Sequence, residues 1–152
     1  MTTMDRAAVF TAHRASMLAA AYRVTGSRAD AEDVVQEAWL AWDRVDMAEV
    51  REPRSFLAVM ASRLALNAVR ARRRRREEYV GPWLPEPIVD DGSPEWAVLH
   101  DDGLGQALDF VLSTLRPEHA AAYVLRKVLD VDYEAIAEVL GSSPAGARQV
   151  VS

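Results

Sequence analysis

The sequence contains no cysteine, which rules out a disulfide framework and any thiolate metal site and fits a reducing compartment. Long apolar runs are missing too. No stretch nears the roughly 18 uncharged apolar residues of a membrane span, and "MTTMDRAAVF" lacks the basic start and apolar core of a secretion signal. A cytoplasmic protein without membrane attachment is expected. Lysine is nearly absent, because seventeen of the eighteen basic residues are arginine. With so much alanine, that bias matches a GC-rich genome and carries no functional weight.

Signatures of catalysis are equally scarce. His13, His100 and His119 fall in separate helical stretches without metal-ligand spacing. There is no Gly-rich phosphate loop, no H-E-x-x-H and no nucleophile elbow. Asp90, Asp91, Asp101 and Asp102 lack the spacing of an EF-hand and read as a solvated acidic stretch. The expectation is a protein that is not an enzyme and takes neither metal nor cofactor.

What is present is a foldable composition, half apolar and 27% charged, in 152 residues, enough for one ordinary domain or two small ones. A net charge of −5 argues mildly against nucleic acid, but the charge is blocked. Residues 28–50 carry seven acids against two arginines, residues 51–78 nine arginines against three glutamates, and residues 79–115 seven acids with no Lys or Arg. Acid, base, acid in sequence implies separate partner surfaces.

Hydrophobic periodicity is helical throughout, without strand alternation or internal repeat. Val9, Phe10, Met17, Ala21 and Val24 mark a first helix, with Gly26 as its stop. Ser27 and Asp30 have capping-box spacing for a second helix, whose inner stripe is Val34, Val35, Ala38, Trp39, Trp42 and Val45. Asp30, Glu32, Asp33 and Glu37 crowd its first turns, where carboxylates favour the helix dipole. Pro53 suits the start of a third helix that buries Phe56, Leu57, Met60, Leu64, Ala68 and Val69 and runs into the arginine tract.

"YVGPWLPEPIVDDGSP" then breaks any helix with four prolines and two glycines. Helix restarts at Ser93–Pro94 around Trp96. Leu104, Leu108, Val111, Leu112 and Leu115 form a further stripe, and Pro117 opens a helix through Leu129. The reading is all-α: residues 1–78 and 95–152 as two helical modules joined by a Pro/Gly-rich linker, 79–94.

At the end, "DYEAIAEVLGSSPAGARQVVS" gives a short helix from Tyr133 to Leu140, a glycine-containing turn and a second helix from Pro144. This is the helix-turn-helix layout, whose second helix enters the DNA major groove, although plain helical hairpins share it. The arginine tract Arg72–Arg76 reads either as a solvated helix end or as a phosphate-facing strip.

The order of these parts carries a resemblance. "DAEDVVQEAWLAW", "PRSFLAVMASRLALNAVRARRRRR" and "LSTLRPEHAAAYVLRKVLDVDYEAIAEVLGSSPAGARQ" together resemble an extracytoplasmic-function (ECF) sigma factor of the sigma-70 family, from Phe10 to the end. "YVGPWLPEP" further resembles a subgroup with a C-terminal SnoaL-like domain. That domain is absent, and the chain stops at Ser152 inside the presumed recognition helix, so a piece of a longer protein is expected.

The resemblance implies an alternative sigma factor with sigma region 2 in residues 1–78 and sigma region 4 in residues 95–152. Its partners would be promoter DNA and core RNA polymerase, through a coiled coil of the largest subunit and the flap of the second-largest. An anti-sigma factor or a C-terminal regulatory domain would be further partners. Asp30, Glu32, Asp33, Gln36 and Glu37 would contact the polymerase, while Trp39 and Trp42 hold the helix in its own bundle. Arg54, Ser55, Arg63, Asn67 and Arg70 would contact the promoter −10 element, next to a base pocket at residues 46–53. Arg72, Arg73, Arg74, Arg75 and Arg76 would track phosphates there. Ser143, Ala145, Gly146, Arg148 and Gln149 would face the −35 element, where Arg and Gln can pair with guanine and adenine edges. A stand-alone helix-turn-helix regulator and a helical protein-binding adaptor are the alternatives.

Overall fold

The computed structural model describes residues 5–78 and 115–152, with side chains as far as residue 75 in the first stretch. The Pro/Gly-rich linker, the restart at Ser93–Pro94, the stripe from Leu104 to Leu112 and the four aspartates between residues 90 and 102 lie outside the described residues. The described chain is all-α: six α-helices with short turns, and no strand among the described residues.

Asp5 opens α1 (Arg6–Thr25) by accepting the Ala7 N–H at 3.1 Å. Gly26 closes it with a left-handed φ of 69°, where its N–H reaches the Tyr22 carbonyl at 2.7 Å. One residue later Ser27 caps α2 (Arg28–Trp42), its Oγ accepting the Asp30 N–H at 3.2 Å. The Ser27 N–H donates to Thr25 Oγ1 at 3.3 Å, and the Asp30 carboxylate points away to another helix. The predicted capping box is therefore made on its serine side.

A single 3₁₀ turn, Met47–Glu49, leads to α3 (Pro53–Glu78), which starts at the expected proline. Leu57, Ala58, Ala61, Ala65, Leu66 and Val69 of α3 are buried against α1 and α2. Many of the buried positions are alanine, including Ala20, Ala21, Ala31, Ala38, Ala61 and Ala65, which lets the three axes approach closely. Leu18, Leu57 and Leu66 fill the remaining volume, each contributing about 2 kcal/mol from burial.

Beyond the undescribed stretch, α4 (Pro117–Tyr123) passes into a π-helical turn, Val124–Val128, which the sequence pattern reads as continuous α-helix. The Leu129 N–H reaches back five residues to Val124 at 3.1 Å, and Val131 reaches Leu125 at 2.8 Å. Asp130 then turns the chain with φ 54°, a left-handed conformation that aspartate tolerates. α5 (Tyr133–Leu140) and α6 (Pro144–Val151) follow, separated by Gly141 with φ 69°.

Ile136, Ala137, Val139 and Ala147 face inward from this pair. Ala120, Ala121, Ala122, Val124 and Leu125 join them to the N-terminal helices, so the buried side chains form one cluster across both described stretches.

Candidate polymerase-docking and nucleic-acid surfaces

α2 separates its two faces cleanly. On the inner face Trp42 is fully buried; its indole Nε1–H donates to the Arg6 carbonyl at 2.9 Å. Arg6 returns the contact by donating to the carbonyls of Trp42 and Val45, the latter at 2.8 Å. Trp39 is half-buried and meets Phe10 edge-on, with centroids 5.1 Å apart. It also lines a groove of about 620 Å³ with Phe10, Arg14, Glu32 and Gln36. The aromatic back thus anchors α2 to the start of α1.

On the outer face Glu32, Asp33, Gln36 and Glu37 are all exposed. Leu40 continues the line of Asp33, Gln36 and Glu37 at helical spacing and is 63% exposed. The sequence pattern does not single out this leucine, which lies off the buried stripe of α2. Asp30 stands apart from the other predicted contacts. It is half-buried, and its Oδ2 accepts from Arg72 Nη1 at 2.9 Å.

α3 does not present its arginines as one strip. Arg63, Asn67, Arg70 and Arg74 recur at intervals of four and three residues and form one exposed line. Asn67, Arg70, Arg73 and Arg74 line a shallow groove of about 400 Å³. Arg72 lies nine residues from Arg63, about two and a half helical turns, and so points to the opposite side. Its Nη2 donates to the Thr25 carbonyl at 2.9 Å while Nη1 holds Asp30. Arg75 is exposed, and the side chain of Arg76 lies outside the described residues.

Arg70 Nε and Arg73 Nη1 each stand 3.9 Å from Glu118 Oε1 on α4. With both arginines about half exposed, these pairs contribute little. Arg54 is exposed at the first turn of α3. Ser55 and Arg63 line a cleft of about 660 Å³ floored by Phe56, Val59, Met60 and Leu64. The opposite wall of that cleft comes from Asp130, Asp132, Ala135 and Glu138, so an acidic wall faces part of the basic line.

In the helix-turn-helix pair Ser143 is the N-cap of α6, its Oγ accepting the Gly146 N–H at 3.1 Å. Ala145, Arg148 and Gln149 are exposed, and Gly146 is half-buried in the first turn. Ala147 is fully buried against the rest of the pair, so its small size fits the space available. The Arg148 guanidinium sits 5.3 Å from the Tyr133 ring, and Arg126 sits 4.6 Å from it. One tyrosine at the head of α5 therefore holds two cations by their attraction to its π face.

No group of three or more potential metal ligands occurs among the described residues, and none of their helices is long and apolar enough to cross a membrane.

The Sigma-70 region 2 family model matches residues 9–75, which hold α1, α2 and most of α3. The ECF RNA polymerase sigma factor SigJ of Mycobacterium tuberculosis is 45% identical over 146 residues, covering 94% of this chain and 46% of that protein. SigE of Mycolicibacterium smegmatis, also an ECF RNA polymerase sigma factor, is 35% identical over 124 residues, covering 80% of this chain and 47% of its own length. The crystal structure of M. tuberculosis SigJ superposes with a TM-score of 0.64 at 41% identity, over 95% of this chain and 50% of that one. The chain spans about half the length of the relatives it matches. The acidic helix, the arginine-lined helix and the terminal helix pair thus lie in a chain whose residues 9–75 match Sigma-70 region 2 and which is similar, over about half of their length, to ECF RNA polymerase sigma factors.

Proposed function

We propose that the chain acts as an alternative sigma factor: it binds core RNA polymerase, engages promoter DNA and leaves the chemistry of RNA synthesis to the polymerase, in the cytoplasm. The observation that carries this reading is the division between α2 and α3. One helix turns an exposed acidic face outward, while the next exposes Arg63, Asn67, Arg70 and Arg74 in a line.

Glu32, Asp33, Gln36 and Glu37 dock on basic and polar groups of the coiled coil of the largest subunit, with Leu40 as the apolar spot among them. Acids of this kind steer association and set orientation more than they add affinity. The line on α3 takes the −10 strand: Arg54, Ser55 and Arg63 near the cleft, Asn67, Arg70 and Arg74 further along the backbone. Capturing an unstacked base there offsets a reclosing energy of a few kcal/mol. Ser143, Ala145, Arg148 and Gln149 on α6 read the −35 element in the major groove, with residues 95–152 as sigma region 4 lying under the polymerase flap.

Glu118 and the acidic wall of the cleft neighbour the α3 line, so DNA approaching along α3 meets these acids. Strands entering along α3 displace the helix-turn-helix pair. The exposed acidic face of α2 also leaves room for an anti-sigma factor.

Run-off transcription with core polymerase and a promoter template is the test. The wild-type chain should start transcription, and Asp33→Arg should abolish both transcription and core capture while leaving the circular dichroism spectrum unchanged. Wild-type core affinity in Asp33→Arg would overturn the docking assignment. DNA binding as a dimer, without any affinity for core, would favour the stand-alone regulator.

A further inference from the structure

The arginine tract contains one residue whose surroundings differ from those of its neighbours. Arg72 is half-buried, and its fork spans two elements: Nη1 to Asp30 Oδ2 and Nη2 to the Thr25 carbonyl, both at 2.9 Å. Thr25 ends α1, where unpaired carbonyls carry the negative end of the helix dipole. Asp30 lies in the first turn of α2. The turn between them is itself tied by Thr25 Oγ1, which donates to the Ser27 carbonyl at 3.1 Å and accepts the Ser27 N–H at 3.3 Å. A planar guanidinium suits two acceptors on different helices, whereas an ammonium presents a point charge without the fixed fork.

We propose that Arg72 is a positioning residue for the polymerase-docking helix and not a DNA contact. From α3 it locks the α1–α2 junction and so fixes the direction in which α2 presents Asp33, Gln36 and Glu37. Asp30 serves as its anchor and not as a direct polymerase contact. The proposal rests on the sigma-factor reading above and deepens it. It also links the helix that lines the DNA surface to the attitude of the helix that meets the polymerase.

The experiment measures core-polymerase affinity and the salt dependence of promoter binding for the full chain and for Arg72→Ala, Arg72→Lys, Asp30→Ala, Arg72→Ala/Asp30→Ala and Arg74→Ala. Arg72→Ala should weaken core binding roughly fivefold, the order expected for one part-buried charge-assisted contact, with the salt slope unchanged. Arg74→Ala should do the reverse, reducing the slope by roughly 0.7–0.9 with core affinity intact. Arg72→Lys should recover only part of the loss. The double variant should lose no more than Arg72→Ala alone, since both changes break one contact.

Additive losses at positions 30 and 72, or a reduced salt slope with unaltered core affinity in Arg72→Ala, would overturn the proposal. If the wild-type chain fails to bind core, the sigma-factor reading falls and the positioning role with it. Wild-type binding with an indifferent Arg72→Ala sinks the positioning role alone.

Discussion

α2 and α3 are both charged helices, yet they handle charge in opposite ways. On α2 the acids Glu32, Asp33 and Glu37 share the solvent side, and the apolar residues Val34, Val35, Ala38 and Trp42 share the buried side. On α3 a block of consecutive arginines must wrap around the helix, because each residue advances about 100°. One of them therefore faces inward and finds Asp30 and the end of α1, another stands beside Glu118, and others remain in solvent. A charge block in the sequence becomes a surface only where its spacing follows the helical repeat. Spaced acids build a face; consecutive arginines divide into separate roles.

The strongest way to break the contrast is to remove what holds α2 to the bundle. Trp42→Ala should destabilise the protein by about 3–5 kcal/mol, because it empties a fully enclosed site and strips the Arg6 carbonyl of its indole donor. Urea unfolding followed by circular dichroism measures this loss, and a shift under 1 kcal/mol would mean that the aromatic back is not the anchor. A milder change sharpens the contrast on the α3 side. Arg63→Ala, Arg70→Ala and Arg74→Ala together should leave stability within about 1 kcal/mol, as expected for exposed positions. They should lower the salt slope of promoter binding by roughly 2–3. A filter-binding titration across salt concentrations reads the slope. An unchanged slope would take this line out of the DNA interface.

Much of this is legible in the sequence. The helix ends at Gly26, Ser27, Pro53, Pro117, Gly141 and Pro144 follow from backbone chemistry that tertiary structure rarely overrides. The burial of Trp42 follows from its place on an apolar stripe. The π-helical turn at Val124–Val128 was not legible, because Tyr123-Val-Leu-Arg-Lys-Val has ordinary α-helical periodicity and no breaker. The lone position of Arg72 is implicit in its half-turn offset from Arg63, but a run of five identical residues conceals which one turns inward. Leu40 carries no signal in the sequence because it lies outside both the acidic set and the buried stripe. The seat of α4 against α1 and α3 depends on alanine faces such as Ala120–Ala122. Those faces have no distinctive pattern in an alanine-rich sequence.

The smallest expected effect concerns α6, where the proposed −35 contact and the helix propensity pull apart. Gly146 lies in the first turn with its N–H held by Ser143 Oγ. Its backbone is helical, and an added Cβ would meet the Ser143 and Ser142 side chains at 3.4–3.6 Å, ordinary contact. Gly146→Ala should therefore raise stability by about 0.5–1 kcal/mol through helix propensity alone, seen as a small upward shift of the thermal midpoint. If α6 reads DNA through close backbone approach at this position, the same methyl should weaken −35 recognition while −10 binding is retained. Footprinting on promoters altered at one element at a time separates the two effects. A more stable variant with unchanged −35 protection would assign base reading to Arg148 and Gln149 and leave the glycine as a tolerated weakness of the helix.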